Sequence, residues 1–143
     1  MRRSVGKINS NIIFCAFAAF IVALTILCAS LGNAEDQRNR DNYARYKEAD
    51  RVFLDGKPDE ALKSYQELAS AFPKAYIIEY KAAVCEYNLK NYEAALSHGR
   101  RALEMHPYLA QDSAYLMMME ACFNETSDEA SAEVVSKKRS TLE

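Results

Sequence analysis

KPDEALKSYQELASAFPKA, Lys57–Ala75, and NYEAALSHGRRALEMHPYL, Asn91–Leu109, follow the same course. Each leaves a short polar link, enters an Ala-Leu pair, runs on as an amphipathic stretch and stops at a proline. The two are 34 residues apart, and the register extends beyond them: Ala49 falls on Ala83, Phe53 on Tyr87, Ala61 on Ala95, Leu62 on Leu96 and Pro73 on Pro107. A fixed period of this size is the mark of stacked supersecondary units, each unable to bury its apolar face alone.

The residue types give the period a physical basis. Alanines at recurrent positions allow close helix approach with no loss of side-chain entropy. Pro73 and Pro107 lack an N–H and cannot continue a helix. Gly56 supplies the freedom a turn needs, and Pro58 suits a first helical turn. Links as short as Asp55–Pro58 and Lys90–Asn91 force antiparallel neighbours. The 143 residues include only 4 Gly and 3 Pro, which favours helix over a turn-rich β fold.

This pattern resembles the tetratricopeptide repeat family. Ala49, Gly56, Ala61, Tyr65 and Pro73 occupy its recurrent positions in one unit, and Ala83, Leu89, Tyr92, Ala95, Ala102 and Pro107 in the next. Arg45, Glu48, Glu86 and Gly99 depart from it. A third, degenerate unit is expected to begin at AQDSAYLMMMEACFN, with Met117 in register with Ala83 and Phe123 with Leu89. It is expected to end in a capping helix that a Thr126/Glu129 capping box opens and Lys137, Lys138 and Arg139 close. The expectation is an all-α, short right-handed solenoid of antiparallel helix pairs preceded by one hydrophobic N-terminal helix. Its parts are a leader or anchor (1–34), a linker or helix start (35–41), unit 1 (42–75), unit 2 (76–109) and the degenerate unit (110–140).

The N-terminus has a different character. All 20 acidic residues lie at Glu35 or later, while the first 34 residues carry Arg2, Arg3 and Lys7. Ile12–Ser30 holds no charge and no proline; as a helix it spans about 28 Å, close to a bilayer's hydrocarbon core. Downstream, nothing is apolar enough to surround it. A cleaved signal peptide ending near Ala34 and an uncleaved single-pass anchor both remain open. A lipoprotein with Cys28 lipidated fits poorly, because Leu27 stands where a small residue belongs. The basic flank is expected to stay cytoplasmic. The repeats then lie outside the cytoplasm: periplasmic or secreted if the leader is cleaved, otherwise on a membrane protein.

The family resemblance implies a concave face lined by the first helix of each unit. Carried onto this chain, it comprises Tyr43, Tyr46, Asp50, Phe53 and Leu54, then Ile77, Tyr80, Val84, Tyr87 and Asn88, then Gln111, Ala114, Met118, Ala121 and Cys122. Tyr43, Tyr46, Phe53, Tyr80, Val84, Tyr87, Asn88 and Met118 are the candidate partner-binding residues. Tyrosine suits a surface that alternates between water and a partner, but the same rings could simply cover the array's own helices. The implied function is non-enzymatic: an adaptor or scaffold holding a peptide or helix of a protein partner. The alternatives are an assembly subunit that self-associates through its terminal repeat or, more weakly, a lipid- or small-molecule-binding groove.

Other chemistries find little support. The acidic body lacks the clustered basic face that nucleic acid requires. The 2 histidines, His98 and His106, belong to no metal-ligand spacing. No phosphate loop or nucleophile motif is present, so no catalytic residue, cofactor or metal is expected. Cys85 and Cys122 read as buried thiols, one inward and one toward the groove, more readily than as a bridge. Asn124–Thr126 is a glycosylation sequon, which matters only in a eukaryotic secretory route.

Overall fold

The computed structural model describes residues 10–142, with the side chains of 10–19, 26 and 31 outside the description. Its helices are α1 (Ser10–Leu54), α2 (Pro58–Ala71), α3 (Tyr76–Asn88), α4 (Tyr92–Met105), α5 (Ser113–Glu125) and α6 (Glu129–Ser140), with a 3-10 turn at Pro107–Gln111. No strand occurs among the described residues. Backbone contacts divide the chain into two units, Met1–Asp41 and Asn42–Glu143.

In the first unit the described large apolar side chains of α1, Phe20, Ile21, Val22, Leu24 and Leu27, are exposed. The expected apolar segment Ile12–Ser30 falls partly, and its basic flank wholly, outside the described side chains. Among the described residues no helix is long and apolar enough to cross a membrane.

The second unit holds three helix pairs: the end of α1 with α2, α3 with α4, and α5 with α6. Their apolar residues form two clusters. One joins Ala49, Ala61, Leu62, Tyr65 and Leu68 to Ile78, Ala82 and Cys85. The other joins Ala83, Ala95, Leu96 and Ala102 to Tyr115, Leu116, Met119, Cys122, Phe123 and Ala132. Helix α3 feeds both, Ala82 on one side and Ala83 on the other. Small residues at these positions let it lie between neighbours on two sides.

Turns repeat as faithfully as helices. Gly56 (φ 79°), Lys90 (φ 65°) and Ser127 (φ 60°) take the left-handed conformation at the matching point of each pair. The periods are unequal, however. Helices α2 and α4 begin 34 residues apart, at Pro58 and Tyr92, whereas α3 and α5 begin 37 apart, at Tyr76 and Ser113. The 3-10 turn explains the excess: Pro107 opens a further turn of chain, and Leu109 is buried within it. The 34-residue register expected for the third pair is therefore corrected by three residues. Ile78 corresponds to Tyr115, Ala82 to Met119, Cys85 to Cys122 and Ala95 to Ala132.

The helix starts also differ from expectation. Asp128, not Thr126, caps α6, accepting from the Ser131 N–H at 3.2 Å. The Thr126 hydroxyl instead donates back to the carbonyls of Cys122 (3.0 Å) and Phe123 (3.2 Å). Asp112 caps α5 through the Tyr115 N–H at 2.9 Å. Lys137, Lys138 and Arg139 stand in the last turn of α6, where the dipole favours cations.

Candidate protein-binding face

The end of α1 and the whole of α3 carry most of the predicted binding residues. Tyr46 and Phe53 are half-buried against the first cluster, and Tyr80, Val84 and Tyr87 against the second. Each has one flank in the core and another in water. Tyr43 and Leu54 are exposed, Leu54 at 82 %. The rings pair edge-on or tilted: Tyr46 with Tyr65, Tyr80 with Tyr115 and Tyr87 with Tyr92, each with centroids 6.1 Å apart.

Two expected residues stand differently. Met118 is 7 % exposed and belongs to the core, while its neighbour Met117 is 53 % exposed. The cause is the 37-residue spacing, under which Tyr80 corresponds to Met117. Asn88 is exposed, but its Nδ2 donates to the Val84 carbonyl at 2.7 Å, so that donor is already engaged within α3.

Sequence reasoning put Asp50 on this face but did not reveal what it does there. Its carboxylate accepts from the Tyr65 hydroxyl at 2.5 Å and pairs with the Lys81 ammonium at 2.8 Å. Partial burial pushes the Asp50 carboxyl up, but the hydrogen bonds from Lys81 and Tyr65 and the Lys81 charge prevail and hold it below the usual carboxylate range. Lys81 moves oppositely: burial lowers it, and the hydrogen bond and charge of Asp50 raise it above the usual ammonium value. Burial, then Asp50, raises Tyr46. Burial, then the Asp112 charge, raises Tyr80. Three helices thus meet at a neutralised ion pair, and the tyrosines around it stay protonated hydroxyls at neutral pH. Such a surface presents ring faces and O–H groups with little net charge.

A second polar cluster ties α3 to α4. Glu79 lies 2.7 Å from His98 Nδ1 and accepts from Arg101 at 2.9 and 3.1 Å. Burial raises the Glu79 carboxyl, yet its bonds with His98 and Arg101 hold it low. His98 is thereby a structural tie. His106 stacks on Tyr76 at 4.1 Å. Among the described residues no group of His, Cys, Asp or Glu is arranged to hold a metal ion.

The departures from the repeat pattern have local reasons. Glu86 is buried, with a carboxylate that accepts from Asn91 Nδ2 at 2.8 Å. Gly99 lies where α5 packs on α4: a Cβ there would meet Met119 Sδ at 2.6 Å, and its carbonyl accepts from the buried Tyr115 hydroxyl at 3.0 Å. Exposed Arg45 pairs with Glu67, and exposed Glu48 with Arg51. Cys122 does not face the groove as expected. It and Cys85 are both fully buried free thiols at the same point of successive pairs.

The family profile described as Tetratricopeptide repeat matches residues 46–110. No curated protein matches the sequence. Solved structures share the fold. A chain of the "CopN-Scc3 complex" aligns at TM-score 0.63 and 16 % identity over 70 % of this chain, which spans only 57 % of that one. The "First TPR of Spaghetti (RPAP3) bound to HSP90 peptide SRMEEVD" aligns at TM-score 0.63 and 19 % identity over 71 % of this chain and 79 % of that one. The second such repeat domain of the same protein, also with that peptide, aligns at TM-score 0.63 and 15 % identity over 71 % and 92 %.

Proposed function

We propose, from the match of residues 46–110 to the tetratricopeptide repeat profile, that this chain is a non-enzymatic adaptor that holds a peptide or helix of another protein on the tyrosine-bearing face of α1, α3 and α5. The observation that carries the reading is the row of half-buried rings Tyr46, Tyr80 and Tyr87, the first two beside the neutralised Asp50–Lys81 pair and Tyr87 against Tyr92. Half-buried aromatics are pre-ordered, so a partner can desolvate them at little entropic cost. Two fold neighbours were solved with a bound peptide, which makes a peptide the first class of partner to test.

The test is affinity capture with the wild-type chain and a Tyr80→Ala, Tyr87→Ala double variant, then titration of the identified partner's segment. Loss of two central aromatics is expected to weaken binding at least about tenfold while helicity by circular dichroism is kept. Collapse of helicity would show that the rings act as core. Self-association through the third pair draws less support. One face of the α5–α6 pair is polar, lined by Glu120, Asn124, Glu129, Glu133 and Lys137, and of the large apolar side chains of α6 only Val134 is exposed.

The reading includes delivery across a membrane. Its support is the uncharged run Ile12–Ser30 behind Arg2, Arg3 and Lys7, which directs the repeats to the side opposite the basic flank.

A further inference from the structure

We infer that the partner segment is an amphipathic helix that lays its apolar face along α3 and uses no charged anchor, rather than an extended or an acidic peptide. The inference rests on the reading that this face binds protein, and it names the chemistry of the partner. Helix α3 turns two sides to its neighbours and one outward. Ile78, Ala82, Ala83, Cys85 and Glu86 are buried, whereas Ile77, Tyr80, Val84 and Tyr87 are half-buried. Steps of three, four and three residues separate these four. At about 100° per residue they form a single stripe, about 15 Å long at 1.5 Å per residue.

The polar groups beside the stripe are already engaged. Lys81 pairs with Asp50 at 2.8 Å, and the Asn88 amide donates to the Val84 carbonyl at 2.7 Å. Glu79 is held on the α4 side by His98 and Arg101. A carboxylate arriving here would gain Lys81 only by displacing Asp50, which would stay half-buried and unpaired. The exposed Lys47 ammonium lies over the Tyr43 ring, 5.6 Å from its centroid, where water screens its pull on an anion. An extended segment over the same length would bring about four or five peptide groups. Their N–H and C=O need more partners than the hydroxyls of Tyr80 and Tyr87 supply. A helix satisfies its backbone internally and presents only side chains. Apolar residues at i, i+3 or i+4 and i+7 match the α3 stripe turn for turn, and the tyrosine hydroxyls suit the helix's polar margin.

The test is selection of displayed random peptides on the full chain, immobilised through a C-terminal tag, with the Tyr80→Ala, Tyr87→Ala variant for counter-selection. The enriched sequences are expected to carry large apolar residues at helical spacing and few acids. For the best of them, a proline at its centre should weaken binding at least about tenfold, because it breaks a helix. Raising sodium chloride from about 0.05 to about 0.5 M should change affinity by less than about twofold, because no exposed ion pair holds the complex. Enrichment of acidic sequences whose binding falls with salt, or indifference to the proline, would overturn the helix and leave a protein-binding face standing. No enrichment, or equal enrichment on a variant of unchanged helicity, would overturn the binding face itself and the helix with it. The proline and salt measurements act on the peptide and the solvent, so they decide the matter even if the variant fails to fold.

Discussion

Gly99 shows how one residue can look wrong in its own repeat and be required by the next. A large side chain there would occupy the space that Tyr115 and Met119 of α5 fill. In Gly99→Ala the tight contact is with the flexible end of Met119, which can shift, so the overpacking cost and alanine's better helix propensity are expected to offset each other to within about 1 kcal/mol. Combined with Met119→Ala it should cost less than the sum of the two changes, a coupling that urea melts of the four proteins in the cycle would measure. The buried thiols give a second prediction. Burial pushes Cys85 up to about 12, and Cys122 up to about 11. Both should resist a thiol reagent at pH 8 in the folded protein and react once urea unfolds it, as peptide mapping by mass spectrometry would show. Modification in the folded state would contradict their burial.

At the scale of the element, the turns and the α1–α3 tie are the sensitive points. Gly56 sits at φ 79° with nothing within 4 Å of an added Cβ, so Gly56→Ala tests backbone strain alone. It should destabilise by about 1–2 kcal/mol in thermal or urea melts. Lys90 and Ser127 hold the same conformation without being glycine, so Lys90→Gly should be nearly neutral, relief of strain offsetting added chain entropy. The Asp50–Lys81 pair sets a pH dependence. Because the folded Asp50 carboxyl lies below its unfolded value, its contribution is present above the ordinary value of about 4 and is lost as pH falls through the lower folded value. Asp50→Asn should therefore narrow the difference in melting temperature between pH 7 and pH 3. An unchanged difference would remove Asp50 from the account.

Across the whole repeat array, stability is expected to follow the order of contacts between neighbouring pairs. Helix α3 contributes to both apolar clusters, whereas α6 buries only Ala132. Native-state hydrogen exchange should find the slowest amides in α3 and the earliest opening in α6. Uniform protection across the six helices would instead indicate one indivisible core.

Local chemistry made much of this protein legible in one dimension. The spacing of Ala61 and Ala95, and of Pro73 and Pro107, marked helix pairs and their ends, because small residues and missing N–H groups act where they stand. The fold class followed from that, and so did the first 34-residue period. Three features depended on packing between segments far apart in sequence. The extra turn after Pro107 moved α5 by three residues and exchanged Met118 for Met117 at the surface. Gly99 and Glu86 became intelligible only beside Met119, Tyr115 and Asn91. Asp50 turned from a groove acid into half of a neutralised pair once α3 brought Lys81 within 2.8 Å. Periodicity records what each helix does for its neighbours on average. Which atoms meet is settled by the offset of one helix against another, and only the tertiary structure sets that offset.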